Sequence, residues 1–376
     1  MAKGIYIGVD NIARKVKKGY IGTENIARKI KKGYIGINNM ARLFFSTGKE
    51  ITYYGEITNL STARKSLAAT AVGDYALFGG GLNNASVLAT VDTYNVNLIK
   101  GTANNLSTGR QLLAATTVEN YAIFAGGYGA SGTYYKTVDA YNHNLVKSTV
   151  SELSIARQQL GATTVGTYAI FGGGYKSGGP SATIDTYNSN LVKGTASNLS
   201  VAKLQMGTTT VGDYAIFGGG AISGGGSTKT VDTYNSNLVK STATDLSVPK
   251  QILAATTVGD YALFGGGAGL STVDAYDSNL LKSTVSDLSD NKKMNLTASA
   301  VDNYALFVGG GTWTESSSTV DTYDSNLVKG TGRNLLTGRL QLAAASIGDF
   351  ILLGGGAVNG GNDKTGVTTV EVYQAC

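Results

Sequence analysis

The only histidine in this chain, His143, sits in the tripeptide Asn142-His143-Asn144, and the only cysteine, Cys376, is its last residue. One histidine cannot build a multi-histidine metal site, and a turn tripeptide places a base poorly for a Ser-His-Asp triad. An exposed turn residue, in the register held elsewhere by Ser189 and Ser236, is the expected role. The carboxylates are more regular. Asp92, Asp139, Asp185, Asp232, Asp274, Asp321 and Glu371 recur once per repeat, but one acid per repeat is spread out, whereas calcium gathers about six to eight oxygens at one point. They are expected to bond backbone amides or the bases that recur with them, Arg64, Arg110, Arg157, Lys203, Lys250, Lys292 and Arg339. Such a ring of bases could receive an anion or acidic glycan. The suitability of arginine for bonding several partners in a partly buried site favours a structural role. Gly-Gly-Gly runs suggest phosphate cradles only where a strand leads into a helix, and no helix follows these. The expectation is therefore no enzyme, no metal and no cofactor, with a carboxylate-based glycan-processing enzyme as the remaining catalytic alternative.

The elements that carry these residues are set by a repeat. A block Tyr-Ala-(Leu/Ile)-Phe-Gly-Gly-Gly, followed by Thr-Val-Asp-Thr-Tyr, recurs with variations seven times. The residue after the Phe position falls at Gly79, Ala125, Gly172, Gly218, Gly265, Val308 and Gly354, at spacings of 43 to 47 residues. A period of that size in a strand-rich, Gly-rich chain means one supersecondary unit per repeat, in a propeller or solenoid. In the unit beginning at Gln205, two apolar runs flank the turn Gly212-Asp213. A variable loop, the alternating run Thr230 to Tyr234, the turn Asn235-Ser236-Asn237 and a fourth run from Leu238 follow. Four strands per unit predict propeller blades. The last unit stops after its third strand, at Tyr373, while residues 50–57 precede the first unit in the register of a fourth strand. That strand is expected to complete the seventh blade and remove the open edge.

Of 376 residues 52 are Gly and 2 are Pro, with 15% charged, a balance typical of a turn-dense all-β protein. The net charge of +6 is uneven: residues 1–50 hold eleven basic and three acidic side chains, and the remainder is slightly acidic. Residues 4–45 have a 14-residue repeat of their own, opened by Tyr6-Ile7-Gly8, Tyr20-Ile21-Gly22 and Tyr34-Ile35-Gly36. Each unit reads as a short hairpin, the runs between glycines being too short for helices. Three hairpins bury too little to be stable alone, so stacking in a homo-oligomer or docking on another protein is expected. Leu43, Phe44 and Phe45, where the first two units have Lys-rich triplets, are the expected anchoring interface. A basic arm binding nucleic acid non-specifically is the alternative reading. No secretory signal, no membrane insertion and no specific nucleic-acid partner are expected.

The N-terminal units resemble repeats at the ends of tail-associated structural proteins of phages and prophages of Gram-positive bacteria. Residues 50–376 resemble the kelch-repeat family in the glycines after strand two, the Tyr ending strand three and the base after strand four. They depart from it in strand four, where Leu98, Leu145, Leu191, Leu238, Leu280 and Leu327 stand in place of the usual tryptophan. The resemblance implies an all-β, seven-bladed kelch-like β-propeller over residues 50–376, joined by linker 46–49 to the hairpin module 1–45. It further implies a non-enzymatic virion protein of a phage tail, baseplate or fibre.

In that architecture the loops between strands two and three share a face with the basic ring and differ from repeat to repeat. Tyr128, Tyr134, Tyr135, Tyr175 and Trp313 lie in them. Aromatic rings beside Asn, Ser and Lys suit a sugar or peptide ligand. The expected partners are other virion or tail proteins through the N-terminal module and a host-surface glycan or protein through the propeller. A structural or decoration protein without a receptor is the second reading.

Overall fold

The computed structural model describes residues 6–9, 12–15, 19–23, 26–30, 32–37, 40–46, 50–291, 294–312, 314–358 and 365–376. They fall into two units, Met1–Glu50 with Cys376 and Ile51–Ala375. In the first, three antiparallel hairpins pair Tyr6–Val9 with Ile12–Lys15, Gly19–Thr23 with Ile26–Ile30, and Lys32–Ile37 with Met40–Ser46. Leu43, Phe44 and Phe45 fall in the last of these strands, and their side chains lie outside the described residues.

The second unit is a propeller of seven four-stranded antiparallel blades. Blade four shows how sequence sets each strand. Its inner strand, Gly207–Val211, alternates buried and half-buried positions. The second, Tyr214–Gly218, is buried on both faces and therefore reads as a continuous apolar run. The third, Val231–Asn235, is buried through Tyr234, and the outer strand Lys240–Ala243 exposes its middle. Inner strands of successive blades adjoin one another around the axis, the seventh meeting the first. Where the sequence suggested an outer strand from Leu238, the chain is still turning. The Asn235 carboxamide oxygen accepts the N–H groups of Asn237 and Val239, both at 3.0 Å. Leu238 adopts φ +60°, in the left-handed region. Its side chain packs against the buried cluster that includes Phe217 and Tyr234, while Val239 is 61% exposed. The same conformation recurs at Leu98, Leu145, Leu191, Leu280 and Leu327, so these residues belong to the turn and not to a fourth strand.

Blades pack through an aromatic against a glycine. A Cβ on Gly172 would lie 2.8 Å from the Phe217 ring, and one on Gly218 would lie 2.9 Å from that of Phe264. The glycine thus admits the neighbouring Phe ring, which in turn meets its own blade's Tyr edge-on, at 5.7 Å for Phe217 and Tyr234. Blade two has alanine in place of the glycine, with Ala125 and Phe171 in one buried cluster, and blade six departs further in a compensated way. Val308 replaces the glycine and Leu353 replaces the facing Phe, and the two share one buried cluster.

Blade seven joins both ends of the propeller. Ile51–Ile57 pairs antiparallel with Val370–Ala375, with a register shift between Val372 and Tyr373. The ring therefore closes within one sheet.

The Val308–Leu353 pairing predicts a coupled effect on stability. Leu353→Phe alone should overpack and cost about 1–3 kcal/mol, and Val308→Gly alone should leave a cavity of similar cost. The double variant restores the glycine–phenylalanine pairing of other blades and should lose much less than the two costs together. Urea titrations of all four proteins read the coupling directly.

Candidate functional site

Each recurrent acid lies at the centre of a buried lock. In blade two, Asp139 receives Arg110 Nη2 at 2.7 Å, the Ser107 hydroxyl at 2.6 Å and the Ser107 N–H at 3.1 Å. Lys147, from the outer strand, adds its ammonium at 2.8 Å. Arg110 also donates to the Phe124 carbonyl on the second strand, and its own carbonyl accepts the Gly81 N–H of blade one at 2.9 Å. The Tyr141 hydroxyl donates to the Asn104 carbonyl at 2.7 Å, pinning the segment that arrives from blade one. Burial alone would raise the Asp139 carboxyl; Arg110, with the hydrogen bonds from Lys147 and Ser107, outweighs it and holds the group below the usual range.

The basic residues are thus inside the protein. Arg64, Arg110, Arg157, Lys203 and Lys250 have no exposed surface, and Arg339 has 1%. Lys203 meets Asp232 at 3.0 Å and Lys250 meets Asp274 at 3.1 Å. Burial lowers both ammonium groups, against the pull of those acids. Lys292 lies outside the described residues. Counted forward from Ser289, the serine on Asp321, the blade-six base falls at Lys292, and counted back from the left-handed Asn295 it falls at Lys293, which also lies outside the described residues; blade six has one residue more in this connection than the other blades.

At the inner end of these connections is a feature the residue types did not announce. Ser66, Leu112, Gln159, Gln205, Ile252, Asn295 and Gln341 all have φ between 52° and 58°. Each N–H donates to the carbonyl of its counterpart in the preceding blade, over 2.8 to 3.3 Å, and the Ser66 N–H closes the circle on Gln341. These residues line a mouth of about 220 Å³ at one end of the central channel. Below it the channel is walled by Ala, Thr and Ser of the inner strands, whose hydroxyls bond blade to blade: the Thr164 hydroxyl donates to the Thr117 carbonyl and accepts from the Thr116 hydroxyl. The signal available in sequence was positional: a variable residue between the base and a fixed Leu or Met.

The loop aromatics partly converge. Tyr134 lies 5.2 Å from Tyr128 in its own loop and 6.1 Å from Tyr175 of blade three, between ring centroids. All three are half-buried, and burial raises the Tyr134 phenol. Tyr135 sits apart from this cluster, so close to Gly129 that a Cβ there would collide with its ring. Trp313 lies outside the described residues. Tyr128 and Tyr175 are tied to the mouth by backbone pairs with Gln111 and Gln158, at 2.8 to 3.0 Å. His143 is an exposed turn residue, packed beside Gly73 of blade one. Among the described residues no group of three or more His, Cys, Asp or Glu could hold a metal, and no helix is long and apolar enough to cross a membrane.

This geometry defines a seven-bladed β-propeller whose loop face surrounds an uncharged axial mouth. The chain is similar in fold to the solved structure of YjhT, a propeller protein, with a TM-score of 0.55 and 14% identity over 85% of this chain and 99% of that one. With 827 solved chains matching, the likeness identifies an architecture shared by many proteins and carries no activity with it. No family model and no curated protein matches the sequence.

The locks predict both a mutational and a pH response. Arg110→Ala removes one of the two cations on the buried Asp139 and leaves Lys147 and Ser107 to hold it, so it should cost about 3 kcal/mol, the low end for a broken buried pair. Arg110→Lys should cost much less, since Lys203 and Lys250 already serve in that position. Asp139, Asp232 and Asp274 are held low in the folded state. Their contribution is present above the unfolded-chain aspartate value of about 3.9 and is lost as pH falls through the lower folded values. Urea stability should therefore drop below about pH 4, and Arg110→Ala should show a shallower drop.

Proposed function

We propose that this chain is a non-enzymatic, kelch-type recognition protein of a phage particle. In this reading the N-terminal hairpins anchor it to other virion or tail proteins and the propeller's loop face binds a host-surface glycan or protein. The single observation that carries the binding role is the Tyr128–Tyr134–Tyr175 cluster. Three half-buried rings from two blades converge on variable loops held by a regular scaffold. Such rings offer large contact area for little side-chain entropy and can cover the C–H face of a sugar. The virion role rests on the likeness of the short Tyr-Ile-Gly repeats and on the basic, core-poor character of residues 1–50.

Replacing Tyr134 and Tyr175 together by Ala should weaken adsorption to host cells, or binding on a glycan array, by about tenfold or more. The stability cost should be about 1–2 kcal/mol, because ring pairs contribute modestly. Unchanged adsorption by the folded variant removes this face as the receptor site, and no adsorption by the unaltered protein favours a decoration role. Anchoring is tested separately: a chain beginning at Ser46 should fold as a propeller yet fail to enter particles. Normal incorporation would rule out the hairpins as the anchor.

A further inference from the structure

The axial mouth has the chemistry of a sugar pocket. Its rim carries four carboxamides, Gln159, Gln205, Asn295 and Gln341. Among the described residues none of these side chains hydrogen-bonds to another protein group, although their backbone N–H groups are all used in the closed ring. Each carboxamide offers two donors and an acceptor, the mixed capacity that a hydroxyl requires. Beneath the rim a second tier of Leu residues and Met206 supplies apolar surface, and no lining residue carries a charge. An ionised ligand would find no counter-charge there, whereas a pyranose presents hydroxyl edges and C–H faces together.

Backbone demand alone does not account for the amides. Leu112 and Ile252 occupy the same left-handed position in the same ring, so any side chain that tolerates the conformation would close the circle. At about 220 Å³ the mouth is smaller than ordinary ligand pockets of about 300–1,000 Å³, a size for one sugar ring rather than several. The backbone pairs Gln111–Tyr128 and Gln158–Tyr175 lead directly from its rim to the tyrosine cluster.

We infer that the mouth holds one neutral, terminal pyranose residue of a glycan whose following sugars run outward over Tyr128, Tyr134 and Tyr175. This rests on the glycan-binding reading of the loop face and adds the subsite and its preference for an uncharged sugar.

The experiment titrates the full chain with free glucose, galactose, mannose, rhamnose, N-acetylglucosamine and N-acetylgalactosamine, and with glucuronate, by saturation-transfer NMR. At least one neutral sugar should bind with millimolar affinity while glucuronate does not. Gln159→Leu with Gln341→Leu, a change the ring accommodates at Leu112, should weaken that binding by at least about tenfold. Tyr134→Ala should leave the monosaccharide affinity within twofold while reducing adsorption to host cells. Binding of no neutral sugar, equal binding of glucuronate, or unchanged affinity in the double glutamine variant overturns the subsite. If Tyr134→Ala still abolishes adsorption in any of those cases, the loop-face reading survives alone. If neither variant changes any binding, both fall.

Discussion

The propeller depends on a charge placed where water cannot reach it. In the described blades the acid on the third strand is buried, and an uncompensated carboxylate there would be intolerable. Its partners come from two parts of the blade, the incoming connection, through serine and arginine or lysine, and the outer-strand lysine, while the same base also donates to a carbonyl of the second strand. One carboxylate therefore fixes where the connection crosses and how far the outer strand stands from the core. The base's carbonyl meanwhile bonds the glycine run of the preceding blade, so satisfying the charge also sets the spacing of neighbours. The bond energy of each pair counts for less than the number of wrong arrangements it forbids.

Blade seven, assembled from two distant segments, keeps the lock with different parts. Glu371 replaces aspartate and reaches Arg339 at 2.8 Å and the Leu336 N–H at 3.0 Å, Leu336 standing where other blades have serine. Tyr53 occupies the register of the outer-strand lysine, opposite Tyr373, and the Arg333 guanidinium lies 4.4 Å from its ring centroid. Burial and Glu371 push the Tyr53 phenol up to about 12, so it stays neutral. The cation has moved from the strand to the connection, and an aromatic edge contact of 5.3 Å between Tyr53 and Tyr373 supplements the lost ion pair.

Most of the architecture was legible because it is written as residue type at fixed intervals. Glycine and Phe mark the second strand, Asp and Tyr the third, and the surplus strand before Ala68 exposes the mode of closure. Other features escaped because type and conformation part company. Leu238 gives no sign of a left-handed backbone; Asn235, which folds the turn around it, does. The mouth is occupied by Ser66, Leu112, Gln159 and Ile252 alike, since its constant element is a peptide conformation and a peptide hydrogen bond. The lysines at Lys100 and Lys147 recur plainly, but their reach to the acid depends on strand pairing across the blade. The meeting of Tyr134 with Tyr175 is likewise a product of blade curvature and not of spacing along the chain.

The closing strand also imposes an order in time. Thr52 and Gln374, paired in blade seven, are 322 residues apart. At ribosomal speeds of about 5–20 residues per second, Ile51–Ile57 emerges roughly 15–60 s before its partner exists. Throughout that interval the nascent chain carries a free strand at one end and an uncompleted arc of blades at the other. Neither can be finished by local contacts, and both offer unpaired backbone to other chains. The propeller is thus a structure whose earliest segment is among its last to be fixed, and its yield in a cell will depend on what shields those two edges while they wait.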